Sequence, residues 1–585
     1  MTRKHDNKPK RSSNRSAKPQ KGAGASRDGK PSRSPRHSER ATRAEGSSFG
    51  CALCPVFGRC GGCSQLDTPY DRQLARKQRM VYDLLADSAP ASAQLPILGM
   101  DEPFHYRNKV ISPYAPAKGA HSRGGSRRGR EDASHGARER RSAAGSVSGS
   151  KHPAPDTKLA RTDILTGMYA PGTHRLVPTD ACAIENKTAK QITLAIRDIM
   201  ARWGMAPYNE DTGEGFVRHA VVRVGHESGE VLVTIVTNGD EFPSAKAFCR
   251  ELVRRVPAVT TIVQNVNMRQ TNVILGEKER TLYGPSFILD TLCGLSFRIS
   301  SQSFYQVNAT QTEVLYDEAI RLANLTGIET VIDAYCGTGT IGLVAARRGA
   351  ARVIGVDNVE AAIRDARGNA RHNGIENAEF VAEDATRFME ELAAARTAGE
   401  GGAPGGAARA VGGNEAGGTV DATEKGNAPG AKDDAACASD GAPFQGGPLV
   451  LLMDPPRAGS TPAFLKAAAA LAPERIIYIS CNPKTQARDV CQLVAAGYVV
   501  RAVRPVDMFP HTDHVESIVM LERAASNAGA TTEESGGDER RFDRASSAAA
   551  ETARRTVSPR EDCLRESEHL SPPTDGDPNR KGSHD

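Results

Sequence analysis

Two residues near the carboxyl end of the chain could do covalent chemistry together. In "IIYISCNPKT" (Ile476 to Thr485), four residues of strand character run into Ser480, Cys481 and then Asn482-Pro483. A core cysteine needs no such punctuation, whereas a thiol offered to a substrate from the carboxyl end of a strand does. In "DMFPHTDHVES", Glu516 opens the last strand, with His511 and His514 close in sequence. A thiolate that adds to an electrophilic carbon, with a base to remove a proton afterwards, is covalent catalysis split into two easier steps. "MDPPRAG" (Met453 to Gly459) adds a third group. Its two prolines hold Asp454 stiffly, because proline restricts itself and the residue before it. An ordinary Pro-rich turn would read alike in isolation, but this one ends a strand.

The elements that must position these groups alternate between strand and helix over residues 301–522. "ETVIDAYCGTGTIGLVAARRG" reads as strand, Gly-rich turn and helix, followed by strand "ARVIGVD", helix "VEAAIRDARGNARHNG" and strand "AEFVAED". Later come strands "PLVLLMDPP" and "RIIYIS", helices "PAFLKAAAALA" and "KTQARDVCQLVAAG", and the closing strands "YVVRAVRPV" and "ESIVMLER". Such alternation predicts an α/β fold, a doubly wound parallel sheet with ligands at the carboxyl ends of its strands. In "DAYCGTGT" the glycines let backbone N–H groups approach a ligand, and Asp357 ends the next strand twenty positions after Gly337, placed to accept ribose hydroxyls. A short Gly-rich turn is weak evidence alone. The acid in register strengthens it, and Asp333, Gly337 and Gly339 fit the D/E-x-x-x-G-x-G pattern of class I S-adenosylmethionine-dependent methyltransferases, which the domain resembles.

One reaction needs both a cysteine and a base in such a domain. C5 of uracil is a poor nucleophile; adding a thiolate to C6 makes C5 enolate-like, and its proton must leave after methylation. "DPPRAG", sixteen residues, "IIYISCNPKT" and then "DMFPHTDHVE" resemble the paired signatures of the RNA (uracil-5-)-methyltransferase family, whose members act on 23S rRNA or tRNA. The resemblance runs from Cys54 to about Leu521. It implies Cys481 as nucleophile and Glu516 as proton-abstracting base. It implies Gln306 in "FYQVN", Tyr335, Thr340, Asp357, Asp384 and Asp454 as S-adenosyl-L-methionine-binding residues. Tyr335 stands where the family often has Phe, and Thr340 at a position that varies.

"CALCPVFGRCGGC" holds Cys54-x5-Cys60-x2-Cys63, with Cys182 far downstream. Four thiolates converging on one centre suit zinc or an iron–sulfur cluster, and spacing does not separate them. The pattern resembles the [4Fe–4S] site of the family's 23S rRNA enzymes, which implies an RNA partner, 23S rRNA, rather than tRNA. Cys51 is left unliganded, and Cys249, Cys293, Cys336, Cys437, Cys491 and Cys563 are expected to be ordinary thiols. "FHYRNKV" (Phe104 to Val110) interleaves aromatics with Arg107 and Lys109, a mixture that suits stacking on single-stranded bases and pairing with phosphate. A half-buried strand with solvated charges explains it nearly as well. "RHAVVRVG", from Arg218, is a weaker candidate of that kind.

Around these blocks lie segments with no periodic apolar residues, expected to be disordered. They are a basic head (1–49), inserts at 116–156 and 396–446, and a tail (523–585). Residues 1–46 carry fourteen Lys/Arg against four Asp/Glu and could add non-specific phosphate affinity. The small β-barrel that many relatives carry ahead of the cluster cysteines has no counterpart in this head. The ordered remainder divides into the cysteine segment and the start of a central domain (50–115), a central α+β RNA-binding domain (157–300) and a methyltransferase domain (301–522). No apolar run reaches ~18 residues, so neither an export signal nor a membrane span is read, and a cytoplasmic location is expected. No protein partner is evident. Three rival functions remain: the same chemistry on tRNA; a non-catalytic RNA-binding iron–sulfur protein, which would not need Cys481 and Glu516 in these motifs; and a small-molecule methyltransferase, disfavoured by the basic head and the extra RNA-facing blocks.

Overall fold

The structure, a computed structural model, describes residues 53–117, 160, 163–400 and 447–524. The head and most of both inserts and of the tail, expected to be disordered, lie outside the described residues, as do Cys51, Cys437 and Cys563. Three expected boundaries shift: a strand runs to Pro116, a helix continues to Glu400 and the last strand ends at Arg523.

After the cysteine segment comes α1 (Tyr70–Leu85), then strands β1 (Lys109–Pro116), β2 (Ile164–Tyr169) and β3 (Leu176–Pro178). Helix α2 (Lys187–Trp203) follows, capped by Asn186, whose side chain accepts the N–H groups of Thr188 and Ala189. β4 (Val217–Val224), β5 (Val231–Thr237), α3 (Ala245–Arg255), β6 (Val259–Val266) and β7 (Lys278–Tyr283) complete a seven-stranded sheet in the order β3-β2-β1-β4-β5-β6-β7. Alternate residues of its central strands (Val110, Val222, Val233, Ile262) pack with Ile192, Ile196 and Phe248 of the two helices. β1 lies inside this sheet, so the first and second sequence blocks share one core.

The hairpin of β8 (Phe287–Leu292) and β9 (Leu295–Ser300) pairs only with itself among the described residues. Ile288, Leu292, Phe297 and Ile299 join the core of the carboxyl-terminal domain. That domain follows as α4 (Ala309–Ala323), β10 (Thr330–Ala334), α5 (Thr340–Arg347), β11 (Arg352–Asp357), α6 (Glu360–His372), β12 (Ala378–Ala382) and α7 (Ala385–Glu400). It continues as β13 (Leu449–Met453), α8 (Pro462–Leu471), β14 (Arg475–Ser480), α9 (Pro483–Ala495), β15 (Tyr498–Val506) and β16 (Glu516–Arg523). The strand order is β12-β11-β10-β13-β14-β16-β15. β13 is buried throughout and β14 nearly so, as strands covered by helices on both faces must be. Val81 and Leu85 of α1 pack against one face of this sheet, so the first block divides between the two domains.

The sheet is not wholly parallel, which corrects the expectation. β16 runs antiparallel between β14 and β15. Apolar periodicity does not encode strand direction, so the sequence could not show this. The reversal matters: the first residue of β16 lies at the same edge as the last residues of its neighbours.

Candidate active site and cysteine pocket

The punctuation after Cys481 begins a helix. Asn482 caps α9 by accepting the Lys484 N–H at 3.3 Å, and Pro483 stands at the first helical position, where no N–H is needed. The Asn482 amide also donates to the Arg457 carbonyl at 2.9 Å, tying this turn to "DPPRAG". Cys481 is therefore held half-buried in a rigid strand-to-helix turn. Ser480 pairs with Ser517 across the antiparallel ladder, which brings Glu516 beside Cys481. Asp454 follows the end of β13, the next strand over.

These groups interact electrostatically. Burial, above all, raises the Cys481 thiol, and the charges of Glu516 and Asp454 add to it; a hydrogen bond from Arg457 and its charge oppose them. Glu516 is 5 % exposed, and burial, then Asp454, hold its carboxyl well above the usual range, with Arg457 again opposing. Burial pushes Asp454 up to about 7. The crevice thus disfavours simultaneous ionisation of thiol and both carboxyls, and Arg457 is the cation that offsets it. Arg457 lies within the "DPPRAG" motif, yet its role follows only from this clustering. A guanidinium three residues after the aspartate, just past two turn-forming prolines, was the available signal.

Around the switch point between β10 and β13, carboxylates gather. Asp333 is 1 % exposed, accepts the Gly342 N–H at 2.9 Å at the start of α5, and is pushed up to about 8 by burial, with Asp454 and Asp357 adding. Asp357 accepts N–H groups from Gly337 and Val359, each at 2.9 Å. A Cβ on Gly337 would meet nothing within 4 Å, so the turn leaves open space above its backbone, whereas one on Gly339 would strike the Phe380 ring at 2.8 Å. Three carboxyls beside an open Gly turn suit a cationic ligand. The sulfonium and ammonium groups of S-adenosylmethionine are two such cations, so these residues fit that group.

Other expected donor-binding residues have visible partners. Tyr335 adopts a left-handed backbone (φ 67°) and packs its ring 5.3 Å from that of Phe464. The Thr340 hydroxyl pairs with the Tyr316 hydroxyl at 2.9 Å. Asp384, exposed, caps α7 by accepting the N–H groups of Thr386 and Arg387. Gln306 lies in the loop before α4, its carbonyl accepting the Asn108 amide at 3.1 Å. Beside it Phe304 is 69 % exposed, an aromatic ring that sequence reading passed over.

The loop leading into Glu516 is held from the amino-terminal segment. The His511 carbonyl accepts the N–H groups of Ser64 and Gln65, both at 3.0 Å. Its backbone N–H reaches Gln73 Oε1 at 2.9 Å, and Gln73 Nε2 donates to His511 Nδ1 at 3.1 Å. Phe104 stacks on the imidazole with ring centres 4.8 Å apart, and the Tyr106 hydroxyl donates to the Pro510 carbonyl at 3.0 Å. His511 is thus buried structure rather than part of the Cys481–Glu516 cluster, while His514 is exposed, with Arg457 close enough to disfavour its charged form.

Cys54, Cys60, Cys63 and Cys182 line one cavity. Gly62 donates its N–H to Cys60 Sγ at 3.4 Å, and the N–H groups of Ile184 and Glu185 point to the Cys182 sulfur. Burial and then the neighbouring cysteines push Cys63 up to about 12, burial pushes Cys182 up to about 11 and also raises Cys60, so these three thiols resist ionising there without a cation. Among the described residues no three Cys, His, Asp or Glu side chains are arranged to hold a single metal ion. Four cysteines around one cavity are a donor set that fits a thiolate-bound metal group.

Two stretches expected to face RNA are mostly structural. Arg107 lines the cysteine cavity, and Phe104 and Tyr106 hold the His511 loop. Arg218 is 2 % exposed, donates to the carbonyls of Asn267 and Arg269, and covers the Tyr208 ring at 4.3 Å.

Residues 326–397 match the family model described as a methyltransferase domain, and residues 449–524 match that of tRNA (Uracil-5-)-methyltransferase. An uncharacterized RNA methyltransferase of Halalkalibacterium halodurans is 35 % identical over 473 residues, 80 % of this chain and 83 % of the relative. The chain belongs to the RNA (uracil-5-)-methyltransferase family. Another member, an uncharacterized RNA methyltransferase of Listeria monocytogenes, is 34 % identical over 469 residues, 80 % and 83 % of the two chains. The crystal structure of Pyrococcus abyssi tRNA (uracil-54, C5)-methyltransferase with S-adenosyl-L-homocysteine is similar in fold, with TM-score 0.53, 23 % identity and coverage of 79 % and 86 %. This methyltransferase therefore has the class I fold, uses S-adenosylmethionine and acts on RNA. No helix among the described residues is long and apolar enough to cross a membrane.

Proposed function

We propose that the methyltransferase methylates C5 of a uridine in 23S rRNA through a covalent adduct on Cys481. The observation that carries this reading is the meeting of Cys481, Glu516, Asp454 and Arg457 at the carboxyl edge of one sheet. The Cys481 thiolate, steadied by Arg457, adds to C6 and moves electron density onto C5. S-adenosylmethionine supplies an electrophilic methyl there, which C5 takes as the carbon–sulfur bond breaks. Glu516 then accepts the C5 proton, the electron pair restores the C5–C6 double bond, and Cys481 leaves as thiolate. A carboxyl raised by burial is suited to that task, being more basic than one in water. Gln306, Tyr335, Thr340, Asp357, Asp384 and Asp454 would hold the methyl donor. The target base must leave its stack to reach Cys481, and the exposed Phe304 ring would stack on a neighbouring base.

Cys54, Cys60, Cys63 and Cys182 would hold a [4Fe–4S] cluster. Zinc and a cubane both take four thiolates, and the resemblance of the cysteine pattern to the family's 23S rRNA enzymes favours the cubane. Full thiolate ligation leaves the cluster structural, clamping residues 53–66 against the loop that carries Glu516. The cysteine pattern favours rRNA. The matched model's own description, tRNA (Uracil-5-)-methyltransferase, favours tRNA as the second reading. Mapping 5-methyluridine in total RNA with and without the gene tests the choice. Loss of one 5-methyluridine from 23S rRNA is expected; loss from tRNA alone would favour the second reading, and no loss would contradict both.

A further inference from the structure

After the structural residues of the two basic stretches are set aside, one cation remains from each. They are Lys109 and Arg223, and they stand directly opposite each other in the antiparallel pairing of β1 with β4. Side chains alternate along a strand, and Val110, Val222 and Val224 all face the helix-covered core. Lys109 and Arg223 therefore share the other face. There the Arg223 guanidinium donates to the Ser303 carbonyl, in the loop that continues through Phe304 and Gln306 into the candidate active site.

Neither cation has an acidic partner among the described residues. Arg223 is 5 % exposed, its Nε is buried with no hydrogen-bond acceptor, and it forms no ion pair. Lys109 is half-buried, and no hydrogen bond or ion pair of its ammonium is found. Burial, then Arg223, pulls the Lys109 ammonium down to about 8, and burial pulls Arg223 down to about 10. Like charges directly opposite on a sheet destabilise it, and buried charges without partners cost more. The ion pairs elsewhere in the same domain, such as Lys190 with Glu185 at 2.6 Å, make the omission here local.

We propose that Lys109 and Arg223 form a phosphate-binding site that holds the RNA backbone beside the target uridine. The proposal rests on the reading of the chain as an RNA methyltransferase. The fixed guanidinium gives the anion its orientation and the more exposed ammonium gives it entry. Its place next to Asn108, whose N–H donates to the Val307 carbonyl at 2.8 Å, puts the anion at the seam between the central sheet and the loop bearing Gln306. A phosphate held there would keep the strand in register while the base turns toward Cys481. The methyl donor also carries an anionic carboxylate, so the test must tell the two anions apart.

The test uses the full chain and a fluorescent oligouridylate, with affinity measured over a salt series, alongside calorimetric titration of S-adenosylhomocysteine. Lys109→Gln should weaken RNA binding about tenfold at moderate salt. It should reduce the slope of log K against log salt by about 0.7, the share of one single-strand phosphate. S-adenosylhomocysteine affinity should be unchanged, and Lys109→Arg should restore RNA binding. The melting temperature of Lys109→Gln should equal or exceed that of the parent, because the repulsion from Arg223 is gone. An unchanged slope would overturn the proposal. So would a loss confined to S-adenosylhomocysteine, which would assign the pair to the donor's carboxylate. Failure of the parent protein to bind RNA at all would instead remove the functional reading on which the proposal rests.

Discussion

The Lys77 ammonium lies 2.6 Å from Asp507 Oδ1, and both side chains are at most 1 % exposed. Lys77 belongs to α1 and Asp507 to the start of the loop that ends at Glu516, so this pair joins the amino-terminal segment to that loop. Lys77 also donates to the Phe509 carbonyl at 3.0 Å. Burial lowers the Lys77 ammonium and Asp507 opposes that, as expected where each charge is retained by the other. Lys77→Met should leave Asp507 buried and uncompensated, costing about 3–5 kcal/mol in a denaturant melt. A double variant, Lys77→Met with Asp507→Leu, should recover much of the loss. Additive losses would show that the two do not interact.

Arg457 should set the reactivity of Cys481. It opposes the burial and carboxylate effects that raise the thiol. In Arg457→Met the thiolate fraction at pH 8 should fall, and Cys481 alkylation by iodoacetamide, followed by peptide mass spectrometry, should slow several-fold. Arg457→Lys should lie between. Equal alkylation rates in all three proteins would remove Arg457 from this role.

Stability should fall as pH rises from about 6.5 to 8. Asp454 is pushed up to about 7, Asp333 up to about 8, and Glu516 is raised well above its ordinary range, so these carboxyls hold protons that the unfolded chain releases. His219 and His511, kept neutral by burial down to about 4, oppose them only at lower pH. The stabilisation is complete below the unfolded carboxyl pKa values and lost as pH passes through the folded ones. Asp454→Asn should flatten the dependence of melting temperature on pH. A parent protein that grows more stable between pH 6.5 and 8, with no change in the variant, would contradict the arrangement.

Cys63→Ser should lose iron and the brown colour of anaerobically purified protein, where about four irons per chain are expected. Since Ser64 and Gln65 donate to the His511 carbonyl, the same variant should loosen the loop before Glu516. Hydrogen exchange at residues 507–515 should rise. Stoichiometric zinc without iron in the parent would sink the cluster, and unchanged exchange would sink the clamp.

Much of the site was legible because single strands and turns encode it. β13 with Asp454, β14 with Cys481 and the Gly turn with Asp333 each carry their signal within a dozen residues. What stayed hidden depends on partners far apart in sequence. The antiparallel β16, which brings Glu516 to Cys481, follows from sheet pairing, and an apolar strand reads the same in either direction. His511 and Phe104 look like polar and aromatic site residues until Gln73 of α1 fixes the buried imidazole and the Phe104 ring stacks on it. Arg107 and Lys109 are two residues apart in one motif, yet one lines the cysteine cavity and the other lies opposite Arg223. The hairpin β8–β9 reads as part of the central domain because its apolar residues do not name the core they enter.

The most direct test of covalent catalysis is the fate of the adduct in Glu516→Gln. Without the carboxylate, Cys481 can still add to C6 and C5 can still be methylated, but the C5 proton has no efficient acceptor. The variant should be incubated with substrate RNA and S-adenosylmethionine, digested with nuclease and protease, and analysed by mass spectrometry. The account predicts a methylated uridine linked to the peptide containing Cys481, and no such species in Cys481→Ala, which should also lose turnover. Turnover retained by Cys481→Ala, or the adduct found on another residue, would contradict it.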